Sequence, residues 1–120
     1  MATITPVHTQ QGRGAHLFTW AMTDDDEGKP ISIPAASDRS VHNVGTWGGA
    51  TVVMQGSNEV TPTVWFELNA VQDFTTAISS TADATPGIQQ IGENSVWIRP
   101  VSSGGTGTSV TVNLLVRNGT

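Results

Sequence analysis

The stretch that decides the fold covers residues 38–69 and reads DRSVHNVGTWGGATVVMQGSNEVTPTVWFELN. It contains three β-rich runs, at 40–47, 50–55 and 64–68, separated by Gly48-Gly49 and by Gly-Ser-Asn at 56–58. Glycine, serine and asparagine are residues that reverse a chain between strands. We therefore predict an antiparallel meander with an apolar core face, formed by the alternate side chains Ala50, Val52, Met54, Val64, Phe66 and Leu68.

The rest of the chain carries further strand patterns. Residues 109–117 alternate strictly, which is typical of a half-buried antiparallel strand; the predicted core face consists of Val110, Val112, Leu114 and Val116. Aromatic and branched residues predict strands at 16–22 and 96–100, and the flanking prolines restrict residues 31–33 to a sheet edge. Residues 74–78 fit a strand, a single helical turn at 71–77 is the alternative, and residues 79–87 fit a loop.

These patterns predict an all-β fold, an antiparallel β-sandwich or jelly roll of about seven to nine short strands with almost no helix. A small closed barrel is the alternative. Residues 1–14 lack sustained periodicity and contain Pro6 and the Gly-Arg-Gly of 12–14. We predict an extended N-terminal arm at 1–14, with at most a short strand at 3–7, followed by a single β-sandwich domain at 15–120.

The composition limits the partners that the protein can have. Only 12% of the 120 residues are charged, the formal net charge is −5, and Lys29 is the sole lysine. Nucleic acid is not an expected partner, because binding its phosphates requires a basic stripe. No apolar run approaches the roughly 20 residues that cross a bilayer, and the N-terminus lacks a signal pattern. We therefore expect no membrane contact and synthesis in the cytoplasm.

No constellation in the sequence predicts an active site or a cofactor site. Residues 24–27, Asp-Asp-Asp-Glu, resemble the start of a calcium loop but lack its later ligands, so a solvated turn is the preferred interpretation. His8, His16 and His42 have spacings that match no tight metal motif, and cysteine is absent. The Gly-rich residues 104–107 are interpreted as a hairpin loop. We predict neither an enzyme nor a resident metal.

Two tryptophans are the most informative side chains for binding. By strand parity, Trp65 and Trp97 lie opposite the core side chains of their strands, and Trp97 shares its face with Arg99. Tryptophan and arginine are enriched in protein interfaces, whereas planar indoles also stack on sugar rings. Three interpretations stay open at this point: a covered second core face, a protein interface and a glycan platform.

Three segments resemble small virion proteins of tailed bacteriophages, in particular the capsid decoration, or cement, proteins with a β-sandwich or jelly-roll body. They are SDRSVHNVGTWGGATVVMQGSN at 37–58, ENSVWIRP at 93–100 and GGTGTSVTVNLLVR at 104–117. The resemblance covers about the C-terminal two-thirds of the chain. It implies a non-enzymatic subunit of the virion that docks on the outer capsid surface, holds neighbouring major capsid protein subunits together, and acts as a homodimer or homotrimer.

The contact residues are our own prediction from side-chain parity and the proposed arm. They are Trp65, Trp97, Arg99, Arg13, Thr3, Ile4 and Val7. The main alternative is a glycan- or receptor-binding β module of a phage tail or fibre, in which Trp47, Trp65 or Trp97 would stack on sugar rings. A secreted carbohydrate-binding module is a third possibility, which the lack of a signal pattern disfavours.

Overall fold

The computed structural model describes residues 2–33, 36, 38–68, 88–92 and 94–117. Within these residues the fold is all-β without helix, and eleven strands form two sheets. The predicted β-sandwich is therefore confirmed. The described part of the chain contains no helix that could span a membrane.

The six strands of sheet A are β1 (Ala2–Ile4), β4 (Asp26–Gly28), β5 (Ile31–Ser32), β7 (Thr51–Ser57), β8 (Phe66–Glu67) and β10 (Trp97–Ser103). Their order is β1-β4-β10-β7-β8, and β5 also pairs with β10. The five strands of sheet B are β2 (Val7–Gly12), β3 (Ala15–Met22), β6 (Asp38–Thr46), β9 (Ile88–Gln90) and β11 (Ser109–Arg117). Their order is β2-β3-β11-β6-β9. The pairs are antiparallel except β1–β4, which is parallel.

The core lies between the sheets and follows the predicted alternation. Strand β11 is buried at every second residue, at the four positions that the sequence assigned to its core face. Trp20 and Met22 of β3 bury their side chains beside it, and Val52 and Met54 of β7 face it from sheet A. Burial of such side chains stabilises the sandwich by about 1.5–3 kcal/mol each.

The predicted meander is wrong at its first turn. Strands β6 and β7 belong to different sheets, so the Gly48-Gly49 turn carries the chain across the sandwich. Both glycines have positive φ, 58° and 81°, and a Cβ on Gly48 would lie 2.2 Å from the carbonyl oxygen of Thr106. The turn is held by the loop at 104–108, where Thr106 N donates to Gly48 O at 2.9 Å. That loop likewise joins two sheets, from β10 to β11, instead of closing a hairpin.

In the second half of the meander, the predicted strand pairing is confirmed, but two of the three predicted core side chains are exposed. Strand β8 pairs antiparallel with β7 but has two residues only. Leu68 is buried, whereas Val64 and Phe66 are 53% and 71% exposed. Parity alone assigned all three to the core, but a core position also requires a facing sheet, which these two residues lack.

Residues 2–12, which were predicted to lie in an extended arm, instead form two strands of the body. Strand β1 pairs with β4 in sheet A, and β2 pairs with β3 in sheet B. The periodicity is weak because β2 is an edge strand that is exposed at all six residues. A strand whose side chains are exposed to solvent on both faces does not require alternating apolar residues.

Among the remaining predictions, some strands are confirmed and others differ in extent. The strands at 16–22 and 31–33 are confirmed, with β5 at the edge. The predicted turn at 23–30 contains β4, and β10 continues through Pro100 to Ser103. The interpretations of residues 71–87, as a strand or a helical turn followed by a loop, lie outside the described residues.

Candidate functional site

The outer face of sheet A brings three of the predicted contact residues together. The guanidinium carbon of Arg99 lies 4.1 Å from the ring centroid of Trp65, a cation–π contact. Trp97 lies two residues before Arg99 on the same face of β10, and both tryptophans are half-buried. We call the surface formed by Trp65, Trp97 and Arg99 the tryptophan–arginine face.

Arg99 is held in place by polar partners on both neighbouring strands. Its Nε donates to Oε1 of Gln55 at 3.0 Å on one side, and its Nη1 forms an ion pair with Glu27 on the other. The ion pair offsets the charge of Arg99, while Glu67, which pairs with Gln55 from β8, adds an exposed carboxylate to the same face. A fixed arginine also loses little side-chain entropy when a partner docks against it.

A loop beside this face is built around one carboxylate. Glu59 Oε1 accepts hydrogen bonds from the backbone N–H groups of Thr63 at 2.8 Å and Val64 at 2.7 Å. The Thr63 hydroxyl adds contacts at 3.2 and 3.3 Å. These bonds, first that from Thr63 N–H, lower the pKa of the Glu59 carboxyl below its ordinary value. We call residues 59–64 the Glu59 loop.

The Glu59 loop presents apolar side chains to solvent. Val60 is 93% exposed, and Val64 and Phe66 stand on the rim of a groove of about 560 Å³. The groove is lined by Gly56, Ser57, Asn58, Glu59, Val64, Phe66, Leu68, Asn94 and Ser95. Glu59 is the ionisable residue in this lining, and its carboxylate is already occupied by the loop's own N–H groups. Exposed apolar groups are typical of a docking surface. By strand parity Val64 and Phe66 lie on the side opposite Trp65, so the groove and the tryptophan–arginine face are separate surfaces.

Acidification should loosen the Glu59 loop. Because the folded pKa of Glu59 is lowered, its contribution is fully present above the unfolded pKa and is lost as the pH falls through the folded pKa. In NMR spectra, the amide protons of Thr63 and Val64 should shift together with a midpoint below the ordinary glutamate value of about 4.3. Glu59→Gln should remove that titration, and a titration that persists in the variant would contradict the assignment.

The other predicted contact residues lie in two separate places. Thr3 pairs with Glu27 at the edge of sheet A, so it shares the outer face, whereas Ile4 points inward and packs against the core. Val7 is 65% exposed on β2, and Arg13 is exposed in the turn that follows it. These two belong to the β2 edge of sheet B. The predicted set is therefore divided between the two sheets.

The acidic run at 24–27 is part of the framework. Asp24 Oδ1 accepts from Thr108 N at 2.6 Å, and this hydrogen bond lowers the pKa of the Asp24 carboxyl. Asp26 is buried and accepts from Thr23 N at 2.6 Å, so the predicted solvated turn is wrong for this residue. Glu27 pairs with Arg99. Within the described residues, no group of three histidine, aspartate or glutamate side chains could hold a metal.

Arg39, like Asp26, is a buried charge that was not predicted from the sequence. Arg39 is fully buried, and burial lowers the pKa of its guanidinium. It donates to three backbone carbonyls, at 2.7 Å to Ala36, 2.9 Å to Ile33 and 2.7 Å to Ser95. The signal was its parity, because Arg39 lies on the same face of β6 as Val41. These hydrogen bonds connect β6 to residues 33–36 and to Ser95, which lines the groove, so the role of Arg39 is structural.

Comparison with known proteins adds information about the fold. No protein-family model matches the chain, and no curated protein is similar to it in sequence. Among solved structures, the SPBc2 prophage-derived protein YomS is similar with a TM-score of 0.57 and 20% identity, over 92% of this chain and 93% of that one. A cupin domain from Bordetella pertussis Tohama I gives a TM-score of 0.47 and 9% identity over 97% and 95%. A chitosan-binding module from Paenibacillus sp. IK-5 has a TM-score of 0.42 and 11% sequence identity, over 92% of this chain and 74% of that one.

Proposed function

We propose that this protein is a structural virion protein of a tailed bacteriophage, which binds the outer surface of the capsid and cements neighbouring major capsid protein subunits. The observation that carries the proposal is the tryptophan–arginine face, with Arg99 stacked on Trp65 beside Trp97. Buried aromatic and arginine side chains contribute most of the binding energy in protein interfaces. The likeness of fold to a prophage-derived protein agrees with a phage origin.

The low charge of the chain supports the same role. Docking against a capsid removes water from the surface of the subunit, and uncharged polar side chains cost less to desolvate than ions. With 12% charged residues the chain has few ions to bury. We propose that it acts as a homodimer or homotrimer without enzymatic activity or cofactor, because repetition around a symmetry axis converts weak contacts into avidity. Its partners would be the major capsid protein and further copies of itself.

A glycan-binding module of a phage tail or fibre is the second candidate. Two half-buried indoles on one face favour it, because indole rings form platforms for sugars. Against it, the Arg99 guanidinium already covers one ring face of Trp65, and Trp47 is buried in the core. In a protein interface Arg99 would contact the partner together with Trp65, whereas a sugar that stacks on that ring face would have to displace Arg99.

Binding to undecorated expanded heads of the source phage tests the proposal. Co-sedimentation should give saturation at a fixed ratio to the major capsid protein. Trp97→Ala should weaken binding by about 2 kcal/mol or more, a factor of about 30, since aromatic anchors are typical hot spots. Val44→Ala is the control, because Val44 is exposed on β6 of the opposite sheet.

Two results would contradict the proposal. One is the absence of saturable binding to heads. The other is binding of Trp97→Ala as tight as that of Val44→Ala and the wild type, which would show that the tryptophan–arginine face lies outside the interface. A change in tryptophan fluorescence with bacterial surface polysaccharide, but not with heads, would support the glycan-binding candidate instead.

A further inference from the structure

The β2–β3 hairpin brings two histidines into contact. His8 Nε2 lies 2.9 Å from His16 Nδ1, although the two residues are eight positions apart in the chain. The register pairs His8 with Phe18 on the neighbouring strand, and His16 lies two residues before Phe18. The two imidazoles are therefore diagonal neighbours on one face of sheet B, a proximity that the spacing did not reveal.

A row of aromatic side chains restricts the His8 ring, and the His16 ring contacts the His8 ring with centroids 5.0 Å apart. The His8 ring stacks on Phe18 with centroids 4.6 Å apart and planes inclined by 10°. Phe18 in turn contacts Trp20 at 6.4 Å, and Trp20 is fully buried. The histidine pair thus extends a row that starts in the core and ends at an exposed edge. Side chains fixed in this way lose little entropy when they bind a ligand.

The geometry of the two nitrogens suits a transition-metal ion. One ring nitrogen donates and the other accepts across the 2.9 Å contact, with roles set by the tautomers. A Zn²⁺ ion binds imidazole nitrogen at about 2.0–2.1 Å, so two ligand nitrogens on a tetrahedral ion lie about 3.3 Å apart. The rings need to separate by a few tenths of an ångström and to turn so that both nitrogen lone pairs point at the same ion. The proton between them moves to the opposite nitrogen of its own ring, which keeps both imidazoles neutral.

We propose that His8 and His16 together bind a divalent transition-metal ion of the class that prefers imidazole, such as Zn²⁺, Ni²⁺ or Cu²⁺. The described residues supply these two ligands and no third one from histidine, aspartate or glutamate. Water or a donor from a neighbouring molecule completes the coordination at this exposed edge. Two ligands on one scaffold bind more tightly than one by a factor of about 100 or more, because the second contact is intramolecular.

Calorimetric titration of the untagged protein with ZnCl₂ tests the site. We expect about one Zn²⁺ per chain, with the affinity reduced about 100-fold or more in His8→Asn and in His16→Asn. His42→Asn is the matched control and should bind as the wild type does, since His42 lies on β6, away from the hairpin. Unchanged binding in the double variant, or no binding by the wild type, would overturn the proposal.

A second measurement needs no variant and guards against effects on folding. Substoichiometric Cu²⁺ should broaden the NMR signals of His8, His16 and Phe18 before those of His42, because paramagnetic broadening decreases steeply with distance. Uniform broadening, or broadening centred elsewhere, would overturn the site. Neither measurement involves phage heads, so failure here and failure of the proposed function are distinguishable.

Discussion

Leu114→Asp is expected to leave the chain unfolded at neutral pH. Leu114 is fully buried in β11, where it pairs with Phe18 on β3 and Val41 on β6. Loss of a buried leucine costs about 2–5 kcal/mol, and an unpaired carboxylate in the core adds several more. The sum is comparable to the whole stability of a small domain, about 5–15 kcal/mol. Val112→Asp should have the same effect, because Val112 occupies the same buried face.

Leu115→Asp is the matched control for this prediction. It makes the same substitution one residue further along β11, on the outer face, where Leu115 is half-buried. The variant should fold, at a cost of about 1–2 kcal/mol. Circular dichroism and the dispersion of the amide NMR spectrum would distinguish the two variants. A folded Leu114→Asp protein beside an unfolded Leu115→Asp protein would mean that the faces of β11 are reversed.

Arg39→Met is expected to destabilise the fold by several kcal/mol. Methionine fills a similar length but donates no hydrogen bond, so the carbonyls of Ile33, Ala36 and Ser95 lose the donor that the structure gives them. Each buried acceptor without a partner costs about 1–3 kcal/mol. Arg39→Lys should recover part of this at most, because an ammonium group cannot reproduce the fixed fork of the guanidinium.

Arg117→Met serves as the comparison for Arg39. Arg117 is exposed on β11 and its Nε lies 3.4 Å from Asp38 Oδ2, a surface ion pair worth about 0–1 kcal/mol. Urea denaturation should therefore give a midpoint near that of the wild type for Arg117→Met and a much lower midpoint for Arg39→Met. Equal midpoints for the two variants would show that the Arg39 hydrogen bonds contribute nothing net to stability.

The sequence predicts the fold class and the best-packed strands because their signals are local. Strict alternation at 109–117 assigns each side chain of β11 to a face, and the structure agrees at every position. The aromatic run at 16–22 marks β3 in the same way. Along β11, and at residues 20–22 of β3, one face packs against the second sheet, so burial and parity coincide; residues 15–19 of β3 are all half-buried and show no alternation.

Sheet membership is not predictable from such signals. Gly48 and Gly49 correctly mark a reversal, but the same reversal can close a hairpin or cross to the other sheet. The choice depends on contacts distant in sequence, such as the hydrogen bond from Thr108 Oγ1 to Trp47 O at 2.7 Å. The edge strand β2 is missed for another reason, since it pairs through its backbone and has no buried face.

The candidate site was predictable in part. Parity placed Trp97 and Arg99 on one outer face, but the stacking of Arg99 on Trp65 depends on the pairing of β7 with both β8 and β10. No pattern in the sequence of residues 59–64 predicted the Glu59 loop. Its side-chain-to-backbone hydrogen bonds form a pattern that only the folded loop displays.

The most direct test of the central claim is a cryo-EM reconstruction of expanded heads after addition of the purified protein. We predict two-sheet density on the outer capsid surface where major capsid protein subunits meet, with Trp65, Trp97 and Arg99 turned toward the shell. Heads without added density, or bound subunits with this face turned toward solvent, would contradict the claim.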